Sequence, residues 1–232
     1  MNLAVIPARG GSKRIPRKNI KHFCGKPMLA YSIEAAQESQ LFDDIVVSTD
    51  DEEIAEVAKS LGASVPFLRP AKLADDFTGT RAVTNQVIEA YSEAFGCPDF
   101  CCCIYATAPF IHASFLEQGY AALKSNETKS FAFSVTSFPF PVQRALKRVE
   151  DGVASMYPEY AQTRSQDLTE GFHDAGQFYW GSTSGYLSSK AMFSSASIPI
   201  VIPRYLVQDI DTLEDWQRAE LMYQAYIKSD LK

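Results

Sequence analysis

The sequence predicts an α/β domain with a doubly wound, mostly parallel sheet, and three observations carry that prediction. Short apolar runs such as Leu3-Ala4-Val5-Ile6, Ile45-Val46-Val47 and Phe100 to Tyr105 lack the polar alternation of a half-exposed strand. Strands of that kind are buried on both faces, which a parallel sheet covered by helices provides. Amphipathic stretches lie between them, as where Ile54, Val57, Ala58 and Leu61 recur at i, i+3, i+4, i+7. Finally, 232 residues with 46% hydrophobic side chains can bury a substantial core as one domain, 1–232.

In chain order, the first strand covers Leu3 to Ile6 and runs into a Gly/Lys/Arg loop. A helix opens at Pro27, a residue favoured in first turns. The strand Ile45 to Ser48 precedes the 54–61 helix, which stops at Gly62. Val65 to Leu68 reads as a third short strand. Val83, Val87, Ile88, Tyr91 and Phe95 mark the next helix, which ends near Gly96, and Phe100 to Tyr105 is the fourth strand. From residue 131 the pattern changes, with Phe131, Phe133 and Val135 alternating with Ala132, Ser134 and Thr136. Residues of about 137–176, rich in Pro, Gln, Arg and aromatics, read as an excursion from the sheet made of extended or hairpin pieces. Gln177 to Trp180 and Ile198 to Ile202 are strands. The last helix starts at Thr212, with Asp215 placed for a capping box and Leu213, Trp216, Tyr223 and Ile227 on its apolar face.

Twenty-two Lys and Arg against 28 Asp and Glu leave a net charge of −6. No global positive field draws the chain to nucleic acid or to an anionic membrane. No run reaches the roughly 18 apolar residues of a membrane span, and the first strand is too short for a signal-peptide core, so a cytoplasmic protein is expected. Cys101, Cys102 and Cys103 are consecutive, which suits neither a zinc site nor a disulfide framework; they read as buried thiols in a strand.

The strongest local feature is Ala8-Arg9-Gly10-Gly11-Ser12-Lys13-Arg14-Ile15-Pro16-Arg17-Lys18-Asn19. It follows a buried strand and so belongs at the carboxyl edge of the sheet, where ligands bind in doubly wound folds. Gly10 and Gly11 let the backbone approach an anion, and Arg9, Lys13, Arg14, Arg17 and Lys18 supply five cations. Polyphosphate is the ligand this composition suits, although neither G-x-x-x-x-G-K-[ST] nor G-x-G-x-x-G is present. A merely solvated basic loop is the bland alternative. Near the other end, Asp209 and Asp211 are two apart. In an extended segment such residues share a side, roughly 6.5–7 Å apart, and could hold Mg²⁺ with substrate phosphates; alternatively Asp211 only favours the start of the Thr212 helix.

These residues resemble the CMP-sialic acid synthetases, a family of cytidylyltransferases. The loop resembles the family's opening signature, and further pieces follow in the right order. They are Ser48-Thr49-Asp50, Arg69-Pro70 with Leu73-Ala74 and Asp76, Thr107-Ala108-Pro109, Phe178-Tyr179 and Asp209-Ile210-Asp211. Tyr157 to Tyr160, Thr163 to Asp167 and His173 to Trp180 look most like the pseudaminic acid branch. The sialic acid branch commonly carries Leu-Gln-Pro-Thr-Ser-Pro where this chain has Ile104-Tyr105-Ala106-Thr107-Ala108-Pro109, a departure that suits a different sugar.

The resemblance implies a nucleotide-diphospho-sugar transferase-like fold and a reaction in which CTP and a nonulosonic acid give the CMP-sugar and pyrophosphate. It implies a nucleotide site of Ala8, Arg9, Gly10, Gly11, Ser12, Lys13, Lys18, Asn19, Arg69, Thr80 and Thr107, with Arg9 and Lys18 also catalytic. It implies Mg²⁺ on Asp209 and Asp211, a sugar site of Arg164, Gln166, His173, Gln177, Phe178 and Tyr179, and a homodimer joined through the excursion. His22 and His112 have no motif around them and read as surface or packing residues; the Phe138 to Pro141 aromatics read as interface or core. A sister enzyme for sialic, legionaminic or keto-deoxy sugars would keep the loop and the Asp pair. A non-catalytic nucleotide-binding module is the reading from a different class.

Overall fold

The computed structural model describes residues 1–75 and 77–229; Asp76, part of the resemblance, lies outside them. Its strands are β1 (Asn2–Pro7), β2 (His22–Phe23), β3 (Lys26–Pro27), β4 (Asp44–Ser48), β5 (Phe100–Ile104), β6 (Phe131–Ser137), β7 (Leu146–Val149), β8 (Gly152–Ser155), β9 (Phe172–Ser182) and β10 (Ser197–Val201). The helices are α1 (Met28–Ser39), α2 (Glu52–Ser60), α3 (Thr80–Phe95), α4 (Ala113–Lys124), α5 (Thr183–Tyr186) and α6 (Leu213–Ile227).

The central sheet has the order β10-β6-β9-β5-β1-β4. β4, β1 and β5 run parallel, as do β6 and β10, and β9 is antiparallel to both of its neighbours. Helices α1, α2 and α4 cover one face through Leu29, Ile33, Ile54, Ala58, Leu116 and Leu123. Helix α3, with Val87, Ile88 and Tyr91, and Tyr186 of α5 cover the other. The three consecutive cysteines divide between the faces as strand geometry requires, Cys102 on the first and Cys101 and Cys103 on the second. All three are buried.

Two expected elements changed. Val65 to Leu68 does not form a strand: only Ser64 bridges Val46, because Pro66 lacks the N–H that a continuing ladder needs. Helix α4 replaces a segment that showed no element in the sequence reading. It packs tightly because Gly119 brings its backbone onto Trp180 and Phe178; a Cβ there would lie 2.8 Å from Trp180 Cδ1. The Trp180 indole N–H donates to the Leu116 carbonyl at 3.0 Å, satisfying a buried donor.

The excursion after β6 holds the two-stranded hairpin β7–β8 and returns into β9. At the other end, the Thr212–Asp215 capping box starts α6 as expected. Its buried side is Trp216 and Ala219, packed on Phe23, Tyr31 and Phe110, whereas Leu213 and Ile227 face solvent.

Candidate functional site

The chain passes from β1 to β4 on one side and then crosses, through α3, to β5 on the other. The crevice beyond the carboxyl ends of β1 and β5 is therefore a topological switch point, the place where open α/β sheets bind ligands. A cavity of about 490 Å³ opens there. Arg9, Ser12, Lys13, Arg14, Lys18 and Asn19 of the basic loop line it, and Arg69, Thr80, Thr107 and Asp211 complete the walls. Five cations against Asp211 and Asp75 make it a site for an anion.

The loop is fixed at both ends. The Ala8 N–H donates to the Ser48 carbonyl at 2.9 Å and the Asn19 amide to the Arg9 carbonyl at 2.9 Å. In its middle, Arg17 forks onto Asp51 and also meets Glu53. Asp51 caps α2 by accepting from the Ile54 N–H at 3.0 Å, and the Arg17 hydrogen bond holds its carboxyl below the usual range. Gly10 has a role the sequence reading did not give it. Its N–H donates to Asp50 at 2.9 Å rather than standing free for a phosphate, and a Cβ would meet the Asp51 carboxylate at 2.7 Å. Neither Gly10, Gly11 nor the buried Ala8 lines the cavity. The glycine is needed for close approach to Asp51, not for an anion nest.

Lys18 joins the loop to the segment before α6. Its ammonium donates to the Ile210 carbonyl at 2.8 Å and lies 3.5 Å from Asp211, which also pairs with Arg14 at 2.9 Å. Ile210 is buried, so Asp209 and Asp211 both lie off the core, yet only Asp211 reaches the cavity; Asp209 is exposed. Among the described residues no three His, Cys, Asp or Glu side chains gather as a metal cage. Arg69 is buried and holds Ser48 through the side-chain oxygen at 3.1 Å, and burial pushes its guanidinium down against the pull of Asp50. It stays charged, since arginine begins so far above neutrality.

A second cavity, of about 360 Å³, shares Thr80 and Tyr105 with the first. Its wall is mostly apolar, with Cys103, Tyr179, Tyr186, Met192 and Phe193, and Asp174 is its one carboxylate. The Arg81 guanidinium braces this wall by donating to the carbonyls of Gly185, Tyr186, Ser188 and Lys190. The partition residue Tyr105 lies 3.4 Å from the Thr80 hydroxyl, and burial pushes its phenol up.

Of the expected sugar residues, Tyr179 alone lines either of these two cavities. Phe178 is fully buried on the α4 face, because it precedes Tyr179 in β9 and must point to the opposite side. Gln177 is also a core residue; its amide donates to the Leu206 carbonyl at 2.6 Å and its Oε1 has no partner among the described residues. His173 packs against Phe138. Arg164 and Gln166 lie exposed on the excursion, Arg164 paired with Asp167 at 2.7 Å. His112 is half-buried and accepts or donates to Tyr226, consistent with packing. Arg81 and Asp174 were not read as site residues, since nothing in their local sequence announces a cavity wall.

A family model described as cytidylyltransferase matches residues 3–199. The chain belongs to the cytidylyltransferase family. It is 47% identical to a pseudaminic acid cytidylyltransferase of Campylobacter jejuni over 223 residues, covering 96% of each chain. It is 31% identical to a CMP-N,N'-diacetyllegionaminic acid synthase of Legionella pneumophila, covering 94% of each. In fold, this cytidylyltransferase is similar to a CMP:2-keto-3-deoxy-manno-octonic acid synthetase complexed with CTP, with a TM-score of 0.68 and 17% identity, covering 97% of this chain and 99% of the other. No helix among the described residues of the cytidylyltransferase is long and apolar enough to cross a membrane.

Proposed function

We propose that this cytidylyltransferase transfers CMP from CTP to pseudaminic acid and releases pyrophosphate. The observation that carries the reading is the pair of cavities, one lined by cations and one mostly apolar, that meet at Thr80 and Tyr105. CTP would occupy the first, with Arg9, Lys13 and Lys18 on its phosphates and Asn19 and Arg69 behind the nucleotide. The sugar would occupy the second, which brings its anomeric hydroxyl to the α-phosphorus from the side opposite pyrophosphate. Catalysis then rests on orientation and on fixed cations where negative charge builds up. The name of the Campylobacter relative and its 47% identity support the choice of sugar.

The donor set suits magnesium, a hard ion commonly held by one or two carboxylates and completed by substrate phosphates. Asp211 would hold it, with Asp209 beside it, and the ion when bound would offset charge on the α-phosphate. The excursion exposes Phe140, Leu146 and Val153, which supports burial against a second copy of the chain, bringing Arg164 and Gln166 to the partner's sugar cavity. An enzyme that draws on CTP would work in the cytoplasm. The test is pyrophosphate release with CTP and Mg²⁺ over pseudaminic, legionaminic, sialic and keto-deoxyoctulosonic acids. Turnover highest with pseudaminic acid is expected; CTP binding without turnover on any sugar would overturn the enzyme reading in favour of a binding module.

A further inference from the structure

Asp174, near the start of β9, is the only carboxylate lining the second cavity, whose wall is otherwise mostly apolar and aromatic. The cavity's one cation, Arg81, is already engaged by the carbonyls of Gly185, Tyr186, Ser188 and Lys190. Both oxygens of Asp174 are engaged by neighbours that fix its direction. Oδ1 accepts from the Gly176 N–H at 2.9 Å, and Oδ2 accepts from the Tyr179 hydroxyl at 2.6 Å. Among the described residues it makes no ion pair, so its charge is not cancelled. Each carboxylate oxygen still has a lone pair for one more donor.

An uncancelled carboxylate sorts the two ends of an acidic sugar. Its own carboxylate is repelled and must lie toward the cations of the first cavity, while a donor at the other end is attracted. A hydroxyl or an amide N–H could donate, but Met192 and Phe193, which line the same cavity, favour a donor attached to an apolar group. An acylamino substituent has that combination. We infer that Asp174, aimed by Tyr179 and Gly176, selects the acceptor sugar by taking a hydrogen bond from an acylamino N–H in the second cavity. This deepens the proposed function and rests on its placing of the sugar in that cavity.

The test compares initial rates of the full-length protein with saturating CTP and Mg²⁺, using pseudaminic acid and, as a sugar with hydroxyls only, keto-deoxyoctulosonic acid. Asp174→Asn keeps the shape but loses the charge, and it presents an NH₂ to one donor. Loss of a charge-assisted hydrogen bond should raise the KM for pseudaminic acid roughly tenfold to hundredfold. The KM for CTP should stay within about twofold, and the preference for the acylamino sugar should fall by the same factor. Tyr179→Phe releases the carboxylate without removing it and should give a smaller rise in the same KM. Unchanged sugar KM and preference in a folded Asp174→Asn protein would overturn the inference. Met192→Trp separates this failure from a failure of the parent reading, because it fills the cavity without touching Asp174. If filling raises the sugar KM and Asp174→Asn does not, only the role of Asp174 falls. If filling also leaves sugar kinetics unchanged, the cavity does not hold the sugar and both fall.

Discussion

The basic loop and the excursion after β6 are built on opposite plans. The loop, residues 8–19, is held by hydrogen bonds to Ser48 and Asp51, by the Asn19 tie to Arg9 within it and by the Lys18 bridge to Ile210, so its cations are set in place by the chain's own residues. The excursion exposes large apolar side chains, Phe140 at 78% and Val153 at 67%, and its Arg164 pairs with Asp167, three residues along. A nucleotide's phosphates are the same for every acceptor, so their site can be rigid and self-contained. The acceptor differs between relatives, and the region that the resemblance assigns to it leaves its large apolar side chains exposed.

Mutations at the two regions should therefore separate cleanly. The largest effect is expected for Asp211→Ala, which removes the carboxylate that meets Lys18 and Arg14 in the first cavity; kcat should fall roughly 10²–10³-fold while CTP still protects the protein against heat. Near-normal turnover with Mg²⁺ would break the assignment. Gly10→Ala comes next. Its Cβ would collide with Asp51, and overpacking of this kind costs about 1–3 kcal/mol, which should be read as a raised KM for CTP with sugar KM unchanged. Arg164→Ala should do the reverse, raising sugar KM by about tenfold and leaving CTP alone. If light scattering shows a monomer at assay concentration, the excursion cannot complete a partner's site and the contrast is lost.

The smallest effect is one of stability. Asp51→Ala removes the cap of α2 and the Arg17 pair, and the cap alone is worth about 1 kcal/mol. Because Arg17 holds the folded carboxyl below its unfolded value, the stabilisation is present above the ordinary carboxylate range and is lost as the pH falls through the lowered one. Urea unfolding of the wild type and the variant should differ at pH 7 and converge in strong acid. A gap independent of pH would place the effect in packing instead.

The same contrast governs what could be read from sequence. The loop was legible because its cations are contiguous, and the α6 capping box because Thr212 and Asp215 are three apart. The buried thiols were legible from strand alternation. Helix α4 was not, although Leu116, Gly119, Tyr120 and Leu123 keep helical spacing; it starts at His112 with no side-chain cap to announce it. The role of Gly10 depends on Asp51, 41 residues away, and the second cavity on residues from α3, β5, β9 and the segment after α5. Phe178 was assigned with Tyr179 because the two are adjacent in sequence, and adjacency in a strand is what puts them on opposite faces.

The triple cysteine of β5 gives the molecule an internal clock. Burial holds the Cys101, Cys102 and Cys103 thiols far from ionising, while Cys97, just before the strand, is exposed. An alkylating reagent reacts with the thiolate and needs access. It should mark Cys97 at once and half-buried Cys24 more slowly, and reach Cys101, Cys102 and Cys103 only when the centre of the sheet opens. The rate at which the last three alkyl groups are added then reports the rate of global unfolding, and bound CTP should slow it.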